Sequence, residues 1–223
     1  MSEWKEAQAL LRLLTWMSPA FPVGAFAYSG GLERAVADDL VRDAATLRQW
    51  MKASLEHGSG WNDAVLLAEA HRGFEDCATL ADLADLAAAL SSSRERHAET
   101  LALGSAFLQA ARAWPHDVLE RLGSAVAYPV AIGAVSAAHG ISLEPALIGY
   151  LHASASQSVS AAIRLSVIGQ REGVEILAAL EEPIERLAPL AASAGLAGLG
   201  TATVMADIET MRHETQHTRL FRS

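Results

Sequence analysis

A chain of 223 residues, 51% hydrophobic and only 6% aromatic, can bury a sizeable core and fits one domain. Its formal charge of -9 sets it against nucleic-acid backbones and acidic membrane surfaces. Lysine occurs only at Lys5 and Lys52, so the positive charge is nearly all arginine, the side chain suited to bidentate contacts with carboxylates or phosphates.

In chain order, the start Met-Ser-Glu-Trp-Lys-Glu lacks the basic segment and apolar run of a secretory signal, which predicts a cytoplasmic protein. Ser18 to Glu33 then breaks the helical pattern. Pro19 and Pro22 fix their own backbone angles and restrict the residues before them, so this stretch is a shaped loop leading into a helix near Gly31. Phe21, Phe26 and Tyr28 either pin that loop to the core or form a pre-ordered contact surface that loses little entropy on binding. Ser29-Gly30-Gly31 ahead of a helix hints at an anion site. No Gly-Lys-Ser/Thr triplet occurs, so a nucleotide phosphate loop is absent.

Beyond the loop, apolar residues recur at spacings of three and four, as in Leu47, Trp50, Met51 and Leu55 or Leu80, Leu83, Leu86 and Leu90. No segment alternates as a strand would. Gly58-Ser59-Gly60, Trp114-Pro115, Pro129, Gly140, Gly169 and Pro183 punctuate about ten helices, and Ser142 is a candidate N-cap for a long helix beginning near Pro145. The lone Cys77 excludes an intrachain disulfide and reads as a small, semi-buried side chain in a reducing compartment. Arg94 and Arg96 with Glu95 and Glu99 read as a solvated, salt-bridged face. Leu122 to Leu143, Pro145 to Ile163 and Leu187 to Ala206 are uncharged or nearly so and long enough to cross a bilayer. Their Ala, Gly and Ser content, with the breaks at Pro129, His139 and His152, favours buried helices with small contact faces instead. The expected fold is all-α, a single-domain helical bundle comprising residues 1–210, followed by a tail over 211–223.

That tail supports two opposed readings. His213-Glu214-Thr215-Gln216-His217 matches the His-Glu-x-x-His zinc pattern of metalloproteases, in which two histidines four apart share a helical face around a glutamate base. A zinc hydrolase needs a third ligand, and none follows His217. The other histidines, His57, His71, His97, His116, His139 and His152, have no ligand spacing, so no metal site and no cofactor is expected. In the docking reading, Leu220 and Phe221, bracketed by Arg219 and Arg222, anchor in a partner's pocket while the guanidinium groups meet carboxylates. Arg212, Arg219 and Arg222 against Glu214 give the tail a net +2, leaving -11 on the body. Basic recognition is therefore local, and a tail of this kind orders on its partner.

Four blocks resemble the urease accessory protein F family: the Ser18 to Glu33 loop with its Ser-Pro-x-Phe-Pro-Val-Gly and Tyr-Ser-x-Gly-Leu-Glu elements; Arg94-Glu95 through Glu99-Thr100 to Gly104; Arg164 with Gly169-Gln170; and Arg212-His213-Glu214-Thr215-Gln216 through Arg219-Leu220-Phe221-Arg222-Ser223. Gly30 stands where the family usually carries His or Gln, and His217 where Tyr is common. A Tyr-to-His exchange would generate the zinc-like pattern by accident. The resemblance implies an all-helical, non-enzymatic assembly factor, dimeric in its working complex. Such a factor bridges the accessory protein called D or H and the nickel-carrying GTPase accessory protein called G, and the assembly delivers nickel to apo-urease. It also implies that Arg212, His213, Glu214, Gln216, Arg219, Leu220, Phe221 and Arg222 dock on the D/H partner. Phe21, Gly24, Tyr28, Ser29 and Glu33 would lie near the dimer or GTPase face. Arg164 and Gln170 serve in partner contacts or act only as an internal pair and a helix break.

Overall fold

The apolar spacings become helices throughout a computed structural model that describes residues 2–223; Met1, the first residue of the segment weighed as a secretory start, lies outside them. The described residues form twelve α-helices: α1 (Ser2–Trp16), α2 (Leu32–Ala37), α3 (Ala44–His57), α4 (Ser59–Arg72), α5 (Cys77–Ala89), α6 (Arg94–Ala111), α7 (Val118–Arg121), α8 (Tyr128–Ala138), α9 (Leu143–Arg164), α10 (Gln170–Ala179), α11 (Glu181–Ala194) and α12 (Val204–His213). Two single 3-10 turns, Ala25–Ala27 and Leu196–Gly198, complete the regular structure, and no strand occurs among the described residues.

Local chemistry sets the boundaries. Asp43 and Thr46 close a reciprocal capping box at the start of α3, and the Asp76 and Ser93 side chains cap α5 and α6. Pro129 opens α8, where its missing N–H costs nothing. Glu172 accepts from the Gly169 N–H at the head of α10. Ser142 does occupy the N-cap of α9, but its side chain makes no capping bond. Cys77 is exposed rather than semi-buried, because it is the first residue of α5 and the Asp76 cap faces it to solvent.

Helix α8 is the centre of the bundle, with Pro129 through Ser136 all buried. α4, α6 and α9 surround it. Glycines permit the closest approaches. A Cβ on Gly133 would stand 2.2 Å from the Leu67 carbonyl oxygen of α4, and one on Gly104 of α6 would stand 1.9 Å from that of Val126. Leu122 to Leu143 thus supplies a buried contact face, whereas Leu187 to Ala206 is corrected: it is split between the end of α11, a 3-10 turn and the start of α12, with Leu190, Leu196, Val204 and Met205 exposed. No helix of the described residues is long and apolar enough to cross a membrane.

At one end of the core Trp16 makes edge-on contacts with Phe107 and Trp114, at ring separations of 5.8 and 5.7 Å, while Phe21 packs on the same two rings. His139 lies against Trp16, and the Arg12 guanidinium donates to its Nδ1 at 3.0 Å. Burial, with Arg12 and His116 nearby, pushes the His139 imidazole down from its usual value near 6.5 to about 4. Between those values the unfolded chain takes up a proton that the folded chain refuses. This contribution to stability is complete above pH 6.5 and is lost as pH falls toward 4. Urea unfolding from pH 7 to pH 4 should therefore show a flatter decline for His139→Gln than for the natural chain. Equal slopes would mean that His139 does not govern it.

Candidate functional site

The loop and the tail, nearly two hundred residues apart in sequence, form one structure. Residues 211–223 pack on the chain's own body. Helix α12 runs across the expected boundary at 210/211, so no linker separates tail from bundle. The physical reason is a set of body carboxylates that accept the tail's donors. Glu33, 7% exposed on α2, receives the Leu220 N–H at Oε1 (2.7 Å) and the Phe221 N–H at Oε2 (3.0 Å). Its Oε2 also lies 3.1 Å from His213 Nε2. Glu95 on α6 meets His213 Nδ1 at 2.6 Å and pairs with Arg219. Glu99, one turn further along, accepts the Ser223 hydroxyl at 2.7 Å.

The loop supplies the other side. The Ser29 N–H and hydroxyl both donate to the Ser223 carbonyl, and the Arg222 N–H donates to Ala27 O at 2.8 Å. Gly24 and Gly31, both with positive φ, shape the loop around its single 3-10 turn. A side chain at Gly31 would strike Thr210 of α12. Gln157 of α9 donates to the Ala25 and Tyr28 carbonyls, which ties the loop to the bundle. Arg164 closes the arrangement: it donates to Phe26 O and stacks 4.3 Å above the Phe221 ring, a cation–π contact that covers the buried phenyl.

Beneath the tail lies a buried polar network that links it to the core. Arg96 donates to Asp63 at 2.6 Å and pairs with Glu99 at 3.2 Å, and the Tyr150 hydroxyl donates to Asp63 at 2.8 Å. Burial opposes the Arg96 charge, but Asp63 and Glu99 outweigh it and hold the guanidinium protonated. Burial raises Glu99 and Tyr150 above their usual values. The expected solvated face on α6 is therefore corrected. Glu99 is 4% exposed, Arg96 is mostly covered, and only Arg94 stands in solvent, where it pairs with Glu214 at 3.6 Å. Glu99 lies on the same face as Thr100, Leu103, Gly104 and Phe107, all buried. That run of small and apolar neighbours was the signal that this glutamate points inward.

The residues singled out in the sequence fall into three groups. Tyr28, Ser29, Glu33, His213 and Phe221 are buried beneath or within the docked tail, and Phe21 is buried against Phe107 and Trp114. Arg212, Arg219, Leu220 and Arg222 face outward, and Arg212 pairs with Asp38 and Glu209. Glu214 accepts the Arg94 N–H at 2.8 Å and so caps α6, while Gln216 folds back onto Thr218 O. Gln170, on the exposed first turn of α10, has no hydrogen bond to loop or tail among the described residues. Asp63, Glu95, Arg96, Glu99, Tyr150 and Gln157 join the site without having been expected there. A cavity of about 610 Å³ opens beside the loop, with Trp50, Ser54, Asp63, Gln157 and Phe221 in its wall.

The zinc geometry does not form. α12 ends at His213, so His213 and His217 share no helical face, and the first is enclosed by carboxylates while the second is exposed. No group of three side chains able to hold a metal occurs among the described residues.

An all-helical bundle with a shaped loop, a docked tail and a buried polar network beneath them has the anatomy of a binding and assembly protein. The UreF family model matches residues 41–181. Three relatives, each named urease accessory protein UreF, match nearly end to end. The Rhizobium etli (strain CIAT 652) protein is 62% identical over 219 residues, 98% of each chain. Those of Agrobacterium fabrum and Rhizobium meliloti are 57% and 54% identical over 223 residues, 100% of each chain. The chain belongs to the UreF family and is an accessory protein, not an enzyme.

Proposed function

We propose that the chain serves the maturation of nickel urease by bridging two other accessory proteins, the D/H-type protein at its tail and the nickel-carrying GTPase G. On this reading it acts in the cytoplasm, as a homodimer within the complex, and the assembly passes nickel to apo-urease. Nickel is cargo of the assembly, and nucleotide hydrolysis belongs to the GTPase partner, in keeping with the missing phosphate loop.

The observation that carries this reading is the way the tail is mounted. Arg212, Arg219, Leu220 and Arg222 stand outward on a segment whose inner side is fixed by Glu33, Glu95 and Glu99. A preformed strap of this kind loses little conformational entropy when a partner closes over it. Loop residues Phe21, Gly24, Tyr28 and Ser29, with Arg164, then contribute by holding the strap. Gln170 lies apart, on a surface open to the second partner or the second copy.

Deletion of residues 211–223 tests the reading. The truncated chain should keep its helical far-ultraviolet spectrum, fail to co-purify with the D/H-type partner and fail to activate urease. Retention of both binding and activation would sink the docking role.

A further inference from the structure

We infer that Glu33 sets the register of the tail, and that this register makes Leu220 and Arg222 the pair a partner reads while Phe221 and Ser223 serve as internal anchors. The inference rests on the docking role proposed above. It divides the tail into residues that hold and residues that recognise.

Two consecutive peptide N–H groups, those of Leu220 and Phe221, reach the two oxygens of one buried carboxylate. A shift of one residue would break both bonds, and a charge-assisted hydrogen bond is roughly twice as strong as a neutral one. The neighbouring bonds, Arg222 N–H to Ala27 O and Ser29 N–H to Ser223 O, lay the following residues along the loop. Side chains then alternate. Leu220 is 54% exposed, Phe221 4%, Arg222 lies in solvent and Ser223 is 1% exposed. Moving the register by one would put Leu220 or Arg222 into the slot beneath Arg164 and expel the phenyl ring.

Charge singles out the same pair. Arg212 is paired with Asp38 and Glu209, and Arg219 with Glu95. Arg222 has no carboxylate partner among the described residues. An uncompensated guanidinium beside an exposed leucine, on a chain otherwise strongly acidic, fits one surface chemistry: an apolar recess with carboxylates at its edge. An acidic partner patch would be repelled by the rest of the body, which confines the contact to this spot.

The experiment uses the full chain and the purified D/H-type partner. Leu220→Asp and Arg222→Glu should each weaken binding by about 30-fold or more, as central anchors do. Arg222→Glu should leave trypsin cleavage after Arg219 as slow as in the natural chain, and Leu220→Asp, whose carboxylate itself slows trypsin at that bond, should leave amide exchange at Phe221 as slow, because their anchors remain. Glu33→Gln should speed that cleavage, with amide exchange in α4 and α8 unchanged. Its loss of affinity should match the loss of docked tail, since only the docked fraction is competent. A merely structural role for Glu33 would loosen α4 and α8 as well. If the Leu220→Asp/Arg222→Glu double variant binds like the natural chain while the 211–223 deletion does not, this assignment is overturned and the docking role survives. If the deletion binds as well, both are overturned.

Discussion

Replacing Phe221 with alanine is expected to release the tail while the helices stay formed. The ring is buried, lies under the Arg164 guanidinium, and is the largest apolar group that the last ten residues place inside. Removing a buried phenylalanine costs about 3–5 kcal/mol, and an exposed cation–π contact adds roughly 0.5–1 kcal/mol. The hydrogen bonds to Glu33 cannot hold the strap alone, because water competes for the same carboxylate once the ring no longer shields it. Trypsin should then cut after Arg219 and Arg222 at least about a hundredfold faster, binding to the D/H-type partner should fall in parallel, and the far-ultraviolet spectrum should not change. Phe221→Leu, which retains most of the volume, should behave nearly as the natural chain does. Unaltered protection of Arg219 in the alanine variant would show that the carboxylates hold the tail without the ring.

Gly133→Val is expected to give the largest loss of global stability. A Cβ at this position meets the Leu67 carbonyl oxygen at 2.2 Å and the Leu67 carbonyl carbon at 3.0 Å, both backbone atoms of α4 that cannot rotate aside. α4 must move away from α8, and the packing of Leu67 and Ala70 against the central helix goes with it. Overpacking a tight core costs typically about 1–3 kcal/mol, and a backbone collision falls at or above the top of that range. For a domain of this length the thermal midpoint should drop by about 6–12 °C or more. Gly30→Ala makes the contrast. It has a positive φ but nothing within 4 Å of its new methyl group, so its cost should be roughly 1 kcal/mol of backbone strain. Similar midpoints for the two variants would contradict the close-crossing account.

The difference between those two glycines marks what could be read from the chain alone. Helices follow from spacings of three and four, and their ends from Pro129, Gly140, Gly169 and the caps, because these signals act within a turn or two. Small-residue segments announce close packing, and Gly133 sits inside one, yet nothing local says which backbone it will meet; Gly104 lies outside them, in α6. The loop was legible as a shaped one from its prolines. Its dependence on the tail was not, since Glu33 and Phe221 come together only through the bundle. Charge patterning misled on α6. Arginines and glutamates three and four apart usually lie in water, and the apolar residues sharing a face with Glu99 were the cue that this set is buried. The histidine pattern misled for a related reason, because spacing implies a shared face only if the helix continues, and α12 stops at its first histidine.

The bonds from Ser29 and Glu33 to Leu220, Phe221 and Ser223 also have a consequence for synthesis. A ribosome makes the loop early and the residues that complete it close to two hundred codons later. Any product cut short before Leu220 therefore carries an unfinished loop, with Glu33 stripped of the Leu220 and Phe221 N–H donors, however well its helices have packed. On the docking role proposed above, competence to join an assembly would be reserved for molecules translated through the tail, and fragments would be kept out without a separate inspection step.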